Sequence, residues 1–125
     1  MKKEIKTDKA PAAIGPYSQA IEANGTLYVS GQLPIDATTG EFAGDTIESQ
    51  TKQSLSNVKY ILEEAGYTFD NVVKCSVFLK NIEDFAGMNG VYNEFFGKPY
   101  PARAAYAVKT LPKDALVEIE VIAVK

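Results

Sequence analysis

The longest helical signal in the chain is an apolar stripe that runs from residue 46 to residue 65. Its members recur three or four positions apart, the spacing of one face of an α-helix, and they are Ile47, Leu55, Val58, Ile61, Leu62 and Ala65. Asp45 and Glu48 have the spacing of a capping box with Asp45 at the cap, and Gly66 stands where a helix commonly ends. The pattern predicts an amphipathic helix over residues 46–65 that packs on one side only.

A second stretch of helical spacing covers residues 82–96, and Asn81 is its predicted N-cap. Gly87 and Gly90 fall inside this stretch and weaken it, because glycine is a poor helix former. Its aromatic residues are expected to be core or interface side chains; they are Phe85, Tyr92, Phe95 and Phe96.

Strict alternation between apolar and other side chains predicts strands over residues 72–80 and 116–124. In the first strand the apolar side consists of Val73, Cys75, Val77 and Leu79. In the last strand it consists of Val117, Ile119, Val121 and Ala123. Both strands are therefore expected to turn one side towards a core.

A hairpin is predicted around Asn24-Gly25, because both residues can adopt the positive φ of a type I′ turn. Residues 17–22 and 26–33 form its two strands, and residues 2–6 add a short edge strand. A further strand is predicted over residues 103–110.

The order of elements is strands, helix, strand, helix, strands, which predicts a single α+β domain over residues 1–125. We expect two layers, with both helices on one face of the sheet. The other face mixes aromatic, apolar and charged groups, and its predicted members include Tyr28, Ser30, Arg103, Ala105 and Glu118. Such a face is too apolar to remain fully exposed to solvent and too charged to form a hydrophobic core. We therefore expect a homo-oligomer that buries it, with a polar site at the seam.

Composition removes several classes of chemistry. The 125 residues include no histidine and one cysteine, which excludes Ser-His and Cys-His nucleophilic machinery, an internal disulfide and Cys or His metal clusters. Cys75 is expected in the core. A net charge of -3 and a single arginine argue against nucleic-acid binding. No apolar run is long enough to cross a membrane and the first residues are polar, so we expect a cytoplasmic protein.

The single arginine, Arg103, is the first candidate for function. Its planar guanidinium can bind a carboxylate or phosphate through two parallel hydrogen bonds, which a lysine cannot do. The alternative is an ion pair with a glutamate.

Glu118 and Glu120 share one side of the last strand, where partial burial would raise a carboxyl pKa enough for acid, base or water-orienting work. The two carboxylates are spaced about 6.6 Å apart along the strand, which also allows them to be the paired carboxyl groups of a glycoside hydrolase. The alternative is a pair of solvated glutamates without a catalytic role.

Weaker signals come from turns and from the second helix. Tyr17 follows Gly15-Pro16 and belongs either to a tight turn or to a ligand site. Ser30-Gly31 lies within a strand, where glycine marks either a bulge or a close approach by a ligand or another backbone. Asn89 is either a surface residue or part of a site. Together these groups suit the binding of a small carboxylate and the handling of water or protons, and they supply no strong nucleophile.

Four segments resemble the reactive intermediate deaminase A family, also called the YjgF/YER057c/UK114 family. They are residues 13–20, 29–34, 101–103 and 111–123, in the family's order over nearly the whole chain. The resemblance implies a chorismate mutase-like fold and a homotrimer with three clefts between subunits. It also implies hydrolysis of 2-imino acids, or of enamine tautomers such as 2-aminoacrylate, to 2-oxo acids and ammonia. No metal or cofactor is implied.

The resemblance also assigns roles to individual residues. Arg103 would clamp the substrate carboxylate, and Glu118 would position or activate water. The cleft-lining residues that the family implies are Tyr17, Ser30, Gly31 and Asn89. Ala105 occupies a cleft position where relatives often have cysteine, which argues against any mechanism that needs that thiol.

Two questions stay open at this stage. A simple hairpin of the last two strands would leave Arg103 about 16 Å from Glu118 along the strand, so either these strands are not neighbours or the residues meet from different subunits. The alternative function is a non-catalytic regulator that binds a metabolite or a protein in the same clefts. Glu118 discriminates, because pure binding needs no water-handling carboxylate. Ribonuclease activity, a label of some relatives, is disfavoured by the net charge of -3.

Overall fold

The computed structural model describes all 125 residues and contains eight strands and two α-helices. The strands are β1 (Lys3–Ile5), β2 (Ala20–Ala23), β3 (Thr26–Gln32), β4 (Ile35–Asp36), β5 (Glu41–Phe42), β6 (Val72–Leu79), β7 (Ala102–Ala107) and β8 (Val117–Val124). The helices are α1 (Ile47–Ala65) and α2 (Phe85–Phe95). These elements confirm the predicted α+β class.

Six strands form one sheet in the order β1-β2-β3-β8-β6-β7, and β4 pairs with β5 in a separate ribbon. All neighbours in the large sheet are antiparallel except β6 and β7, which run parallel because α2 crosses over between them. β8 lies between β3 and β6. The two C-terminal strands are therefore not neighbours, and the simple hairpin considered from the sequence does not form.

The hairpin of β2 and β3 turns at Asn24 and Gly25, whose φ values of 52° and 76° confirm the predicted left-handed pair. β2 begins at Ala20 rather than at residue 17, so the predicted start is wrong.

Side-chain hydrogen bonds explain the late start of β2. The amide of Tyr17 donates to the carbonyl oxygen of Gly15 and closes a tight turn. The buried amide group of Gln19 donates to the carbonyl oxygens of Thr7 and Pro11, which ties this segment to the N-terminal loop. Tyr17 therefore lies in a turn, outside the sheet.

Helix α1 begins one residue later than the sequence pattern predicts. Thr46, not Asp45, is the N-cap: its hydroxyl accepts a hydrogen bond from the Ser49 amide, and the Ser49 hydroxyl accepts one from the Thr46 amide. Serine takes the place of the usual Glu or Gln in this capping box. At the other end, Gly66 has a φ of 81° and confirms the predicted left-handed residue.

Helix α2 is shorter than predicted, because residues 82–84 form a 3-10 turn before it. Asn81 precedes that turn and makes no side-chain capping hydrogen bond. A Cβ atom at Gly87 would lie 2.7 Å from Cγ2 of Ile47 in α1. This glycine lowers helix propensity but permits the close approach of the two helices.

One face of the large sheet packs beneath the helices, and we call it the covered face. Its side chains are at most 4% exposed; they are Leu27, Val29, Cys75, Val77, Leu79, Val117, Ile119, Val121 and Ala123. The burial of Cys75 is as expected and raises the pKa of its thiol to about 11. The thiol is therefore protonated at neutral pH and is no nucleophile.

Val73 is a correction to the predicted inward side of β6. Its side chain is 48% exposed, whereas Val72 is buried. The pairing of β6 with β8 shifts between Val72 and Lys74, and this irregularity turns Val73 outwards.

No helix packs on the opposite face, which we call the open face. Its side chains include Tyr28, Ser30, Ser76, Phe78, Tyr106, Glu118, Glu120 and Ile122. Tyr28 and Tyr106 are each 51% exposed, and the rings of Phe78 and Tyr106 meet edge to face with centroids 5.6 Å apart. A face that mixes aromatic rings with carboxylates is confirmed, although two of its predicted members lie elsewhere.

Candidate functional site

Arg103 lies at the start of the edge strand β7, beside α2. Its partner in the parallel pairing is Cys75 of the covered face, so Arg103 points to the helix side of the sheet. Ala105 has the same orientation, because its partner is Val77. The prediction that Arg103 and Ala105 belong to the mixed face is therefore wrong. The strand reads Ala-Arg-Ala-Ala-Tyr-Ala. Because alanines stand on both of its sides, the pattern of apolar residues does not show which side faces the core.

Three residues of α2 surround the Arg103 guanidinium. Its Nη1 donates a 2.7 Å hydrogen bond to Oδ1 of Asn89. Its Cζ lies 4.7 Å from the ring centroid of Tyr92 and 5.4 Å from that of Phe85. The three positions share one face of the helix because they are four and three residues apart. The chain's only ion pair lies elsewhere, so the ion-pair alternative for Arg103 is wrong and most of its donors are free.

Glu118 lies on the open face of β8, opposite Phe78 of β6. Its side chain is half-buried. Burial raises the pKa of its carboxyl group, and the charge of Glu120 raises it further. A carboxyl group with a raised pKa can accept or return a proton under conditions closer to neutrality.

The backbone of β3 bulges between Val29 and Gln32, so that Ser30 and Gly31 together face one residue of β8. A side chain at Gly31 would collide with the Glu118 carboxylate. Glycine is thus what allows this carboxylate to lie against the backbone. The bulge interpretation of the mid-strand glycine is confirmed. Within the chain, the group that approaches this glycine is a carboxylate side chain, not another backbone.

Ser30 ties the segment that carries Tyr17 to β3. Its hydroxyl donates a 2.6 Å hydrogen bond to the Ser18 carbonyl oxygen, and its amide donates to the Gln19 carbonyl oxygen at 2.9 Å. Tyr17 is 54% exposed and lines a cavity of about 470 Å³ together with the N-terminal loop. Within one chain this cavity contains neither of the two charged candidates.

The two charged candidates lie on opposite faces of the sheet within one chain. Arg103 takes the side of Cys75, whereas Glu118 takes the side of Phe78. Their backbones are also about 10 Å apart along the strands and about 10 Å across them. We call Arg103 with Phe85, Asn89 and Tyr92 the arginine half-site, and Ser30, Gly31 and Glu118 the glutamate half-site. No small substrate can touch both half-sites of one chain.

Sequence reasoning missed the contacts of Phe85 and Tyr92 with Arg103. It assigned both rings to a core or an interface, and Tyr92 is indeed buried, at 5% exposure. Their shared helical face with Asn89 was visible in the sequence. Which strand that face meets was not visible, because it depends on the parallel pairing of β7 with β6.

The half-sites offer side-chain and backbone groups for chemistry. They supply a guanidinium with free donors, a half-buried carboxyl group and the backbone beside a glycine. No group of three or more His, Cys, Asp or Glu side chains is placed to hold a metal ion. Neither helix combines the length and apolar character needed to span a bilayer.

Comparison with known proteins gives the family. Residues 7–125 match the family model described as Endoribonuclease L-PSP. The chain belongs to this family. It is the YjgF family that the four sequence segments resemble, so the resemblance is confirmed.

Relatives in the YjgF family carry different names. A Bos taurus protein named 2-iminobutanoate/2-iminopropanoate deaminase is 50% identical over 125 residues, which are 100% of this chain and 91% of that protein. A Lactococcus lactis protein with the regulator name AldR is 54% identical over 121 residues, 97% of this chain and 96% of that one. The crystal structure of E. coli TdcF with bound serine is 42% identical with a TM-score of 0.94, and the match covers 98% of each chain. The fold is therefore shared, while the names divide between deaminase and regulator.

Proposed function

We propose that this YjgF-family chain hydrolyses 2-imino acids and their enamine tautomers, such as 2-iminobutanoate and 2-aminoacrylate, to 2-oxo acids and ammonia. The observation that carries the proposal is the exposed Arg103 guanidinium, which Asn89 and Tyr92 hold and which no carboxylate of the chain neutralises. Such a group is a ready receptor for a substrate carboxylate. The 50% identity to the Bos taurus deaminase supports the reaction.

The reaction needs an oriented water more than it needs a strong nucleophile. Carbon 2 of an iminium is already electrophilic, so the water oxygen bonds to it, the carbon–nitrogen bond then breaks, and ammonia leaves with a proton from the water. An enamine first takes up a proton at carbon 3 to become the iminium. Glu118 is the group that accepts and returns these protons, and its raised pKa suits that work. Arg103 holds the carboxylate and thereby keeps carbon 2 in place.

The absence of a thiol at position 105 fits this scheme. Ala105 lies two residues past Arg103 on the same side of β7. Its methyl group offers no proton and no nucleophile, so in this scheme the proton transfers fall to Glu118 and water.

The complete site is proposed to use two copies of the chain. Because Arg103 and Glu118 point to opposite faces of one sheet, a substrate reaches both only when the half-sites come from neighbouring copies. The open face supplies the driving force, since a second copy would bury Tyr28 and Tyr106. We propose the homotrimer that the family resemblance implies, with one cleft at each of three equivalent interfaces.

The proposed role is protection from reactive intermediates in the cytoplasm. Enamines of this kind escape from pyridoxal-phosphate dehydratases that act on serine or threonine, and they damage other enzymes of that class. A chain that hydrolyses them quickly would spare those enzymes.

An imine-trapping assay tests the activity. An amino acid oxidase generates 2-imino acids in place, and semicarbazide traps whatever the native protein leaves. Arg103→Lys keeps the charge but loses the planar fork, and Glu118→Ala removes the carboxyl group, so both should abolish the acceleration. Glu94→Ala, an exposed glutamate of α2, is the matched control and should keep it. A native protein that leaves all imino acids untouched would refute the proposal.

The regulator name of the Lactococcus lactis relative favours one second candidate, a metabolite-binding or protein-binding regulator that uses the same clefts. Arg103 serves binding as well as catalysis, whereas Glu118 serves hydrolysis. Imine hydrolysis by the native protein separates the two, and titration of a 2-oxo acid into the native protein and into Glu118→Ala measures binding. A regulator would bind the acid, lose nothing by the substitution and show no imine hydrolysis in its native form.

A further inference from the structure

Tyr92 is a buried aromatic residue that joins the interior to the arginine half-site. Its side chain is 5% exposed, and its hydroxyl oxygen is buried without a hydrogen-bond partner. Its ring lies 4.7 Å from Cζ of Arg103. The proposed reaction gives Tyr92 no part in the proton transfers, so the effect of its ring on the guanidinium is a separate question.

We propose that Tyr92 is a positioning residue for Arg103: its ring fixes the orientation in which the guanidinium meets a ligand carboxylate. This inference rests on the proposed function, and it deepens that function by naming what makes the carboxylate receptor rigid. Asn89 and Phe85 assist by holding one N–H group and by adding a second, more distant ring.

An aromatic ring suits this task better than a carboxylate would. A carboxylate partner would occupy two N–H groups of the guanidinium and cancel its charge, leaving little for a ligand. A ring attracts the cation through its π-electrons and consumes no N–H donor. Asn89 accepts from one of the five donors. The N–H groups that a bidentate carboxylate needs therefore stay available.

Tyr92 can impose an orientation because it is itself held firmly. Its ring stacks on Phe96 with centroids 4.4 Å apart, and Phe96 meets Phe69 edge to face at 5.0 Å. Arg103, by contrast, is an exposed residue on an edge strand with a long flexible stem. The rigid partner thus orders the flexible one.

Nuclear magnetic resonance can test the contact directly, because the chain contains a single arginine. Its Nε–Hε group gives one resonance, which a nearby ring shifts from the position seen in a free arginine side chain. We expect a shifted resonance in the native protein. Tyr92→Leu should return it towards the free position, and Tyr92→Phe, which keeps the ring, should preserve most of the shift. A native resonance at the free position would overturn the proposal.

The matched control is Tyr67→Leu. Tyr67 is another buried tyrosine, at 1% exposure, and its ring lies 4.5 Å from the Lys125 ammonium rather than near Arg103. This variant loses comparable packing but should leave the arginine resonance in place. An equal change in Tyr67→Leu would show a general structural effect and would overturn the specific role of Tyr92.

Kinetics supply the second readout. Tyr92→Leu should raise KM for the imino acid about tenfold with little change in kcat, and Tyr92→Phe should restore KM, since a cation–π contact acts on binding. Unchanged KM in Tyr92→Leu would contradict the proposal. Should native protein lack imine hydrolysis, titration with 2-oxobutanoate replaces KM by Kd. The proposed reaction then fails while the positioning role is still decided by the resonance and by Kd.

Discussion

The two faces of the large sheet differ in the burial and chemistry of their side chains. On the covered face the side chains of β8 are apolar and almost fully buried, as Ile119 at 0% exposure illustrates. On the open face of the same strand, Glu118 and Glu120 alternate with Ile119, and Tyr106 of β7 stands half exposed. The first face stabilises the chain by itself. The second carries the half-buried Glu118 and the exposed Glu120 among aromatic rings, and it is the face that the proposed assembly would cover.

In the edge strand β7 the covered side carries a charged residue, unlike the covered side of the central strands. Its covered side carries Arg103, a charged residue in line with the core residue Cys75. At the edge of the sheet a charge can sit on the helix side and still reach solvent. A candidate site residue can thus belong to the side of the sheet that elsewhere forms the core.

The largest expected effect contrasts neighbouring isoleucines of β8. Ile119→Ala should lower the free energy of unfolding by about 2–5 kcal/mol, because it leaves a cavity in the fully buried core. Ile122→Ala, on the open face, should instead weaken association. Thermal melts at several protein concentrations separate the two, since only the second loss should depend on concentration. If both variants lost the same thermal stability at every protein concentration, the two faces would not differ in the way described.

Gly31→Ala should lower activity at the open face without unfolding the chain. The new methyl group collides with the Glu118 carboxylate, and a carboxylate displaced by about 1 Å can lower kcat/KM about a hundredfold. Gly90→Ala is the control, because nothing lies within 4 Å of its added Cβ. The imine-trapping assay and a thermal melt measure both variants. Full activity in Gly31→Ala would show that the position of Glu118 is unimportant.

The glycines of α2 test how tightly this helix packs on α1, above the covered face. Gly87→Ala should cost about 1–3 kcal/mol of unfolding free energy, since its Cβ would lie 2.7 Å from a methyl carbon of Ile47. Gly90→Ala should add about 0.5–1 kcal/mol, because alanine is the better helix former and the space is open. Denaturant titration gives both values. The same sign for both would mean that the packing of α2 on α1 is not tight at Gly87.

Glu120→Gln should give the smallest effect, a displaced pH profile. Burial raises the pKa of Glu118 first and the charge of Glu120 raises it further, so neutralising Glu120 lowers that pKa. Since the ionised Glu118 accepts the proton, the acid limb of kcat/KM should move to lower pH. Stability should rise at neutral pH, and this gain should vanish at acid pH, where Glu118 is protonated in both folded and unfolded states. Glu94→Gln should change neither; an unmoved acid limb in Glu120→Gln would remove Glu120 from the site.

Elements with a strong local pattern were predictable from the sequence. The alternation in residues 117–124 fixes which side of β8 is buried, and the apolar stripe of α1 fixes its packing face. Asn24 and Gly25 fix the hairpin, because few other residues accept positive φ. Gly31 was recognisable as an anomaly in its strand for the same local reason.

Features that depend on distant partners were not predictable. The side on which Arg103 lies follows from its register with Cys75, which no local pattern encodes in a strand composed mostly of alanine. The outward turn of Val73 depends on a shifted pairing with β8. Thr46 displaced Asp45 as the cap because Ser49 could complete the capping box. The contacts of Arg103 with α2 follow from the crossover between β6 and β7.

In the proposed assembly, Arg103 and Glu118 serve one substrate from two different copies of the chain. Mixing two inactive variants, Arg103→Lys and Glu118→Ala, tests it most directly after joint unfolding and reassembly. In a closed ring with equivalent interfaces, about a quarter of the sites would then hold both native residues, so about a quarter of native activity should return. Tagged subunits verify that the two variants assemble together. Mixed assemblies that stay inactive would contradict the account, because they would mean that each copy must supply both residues itself.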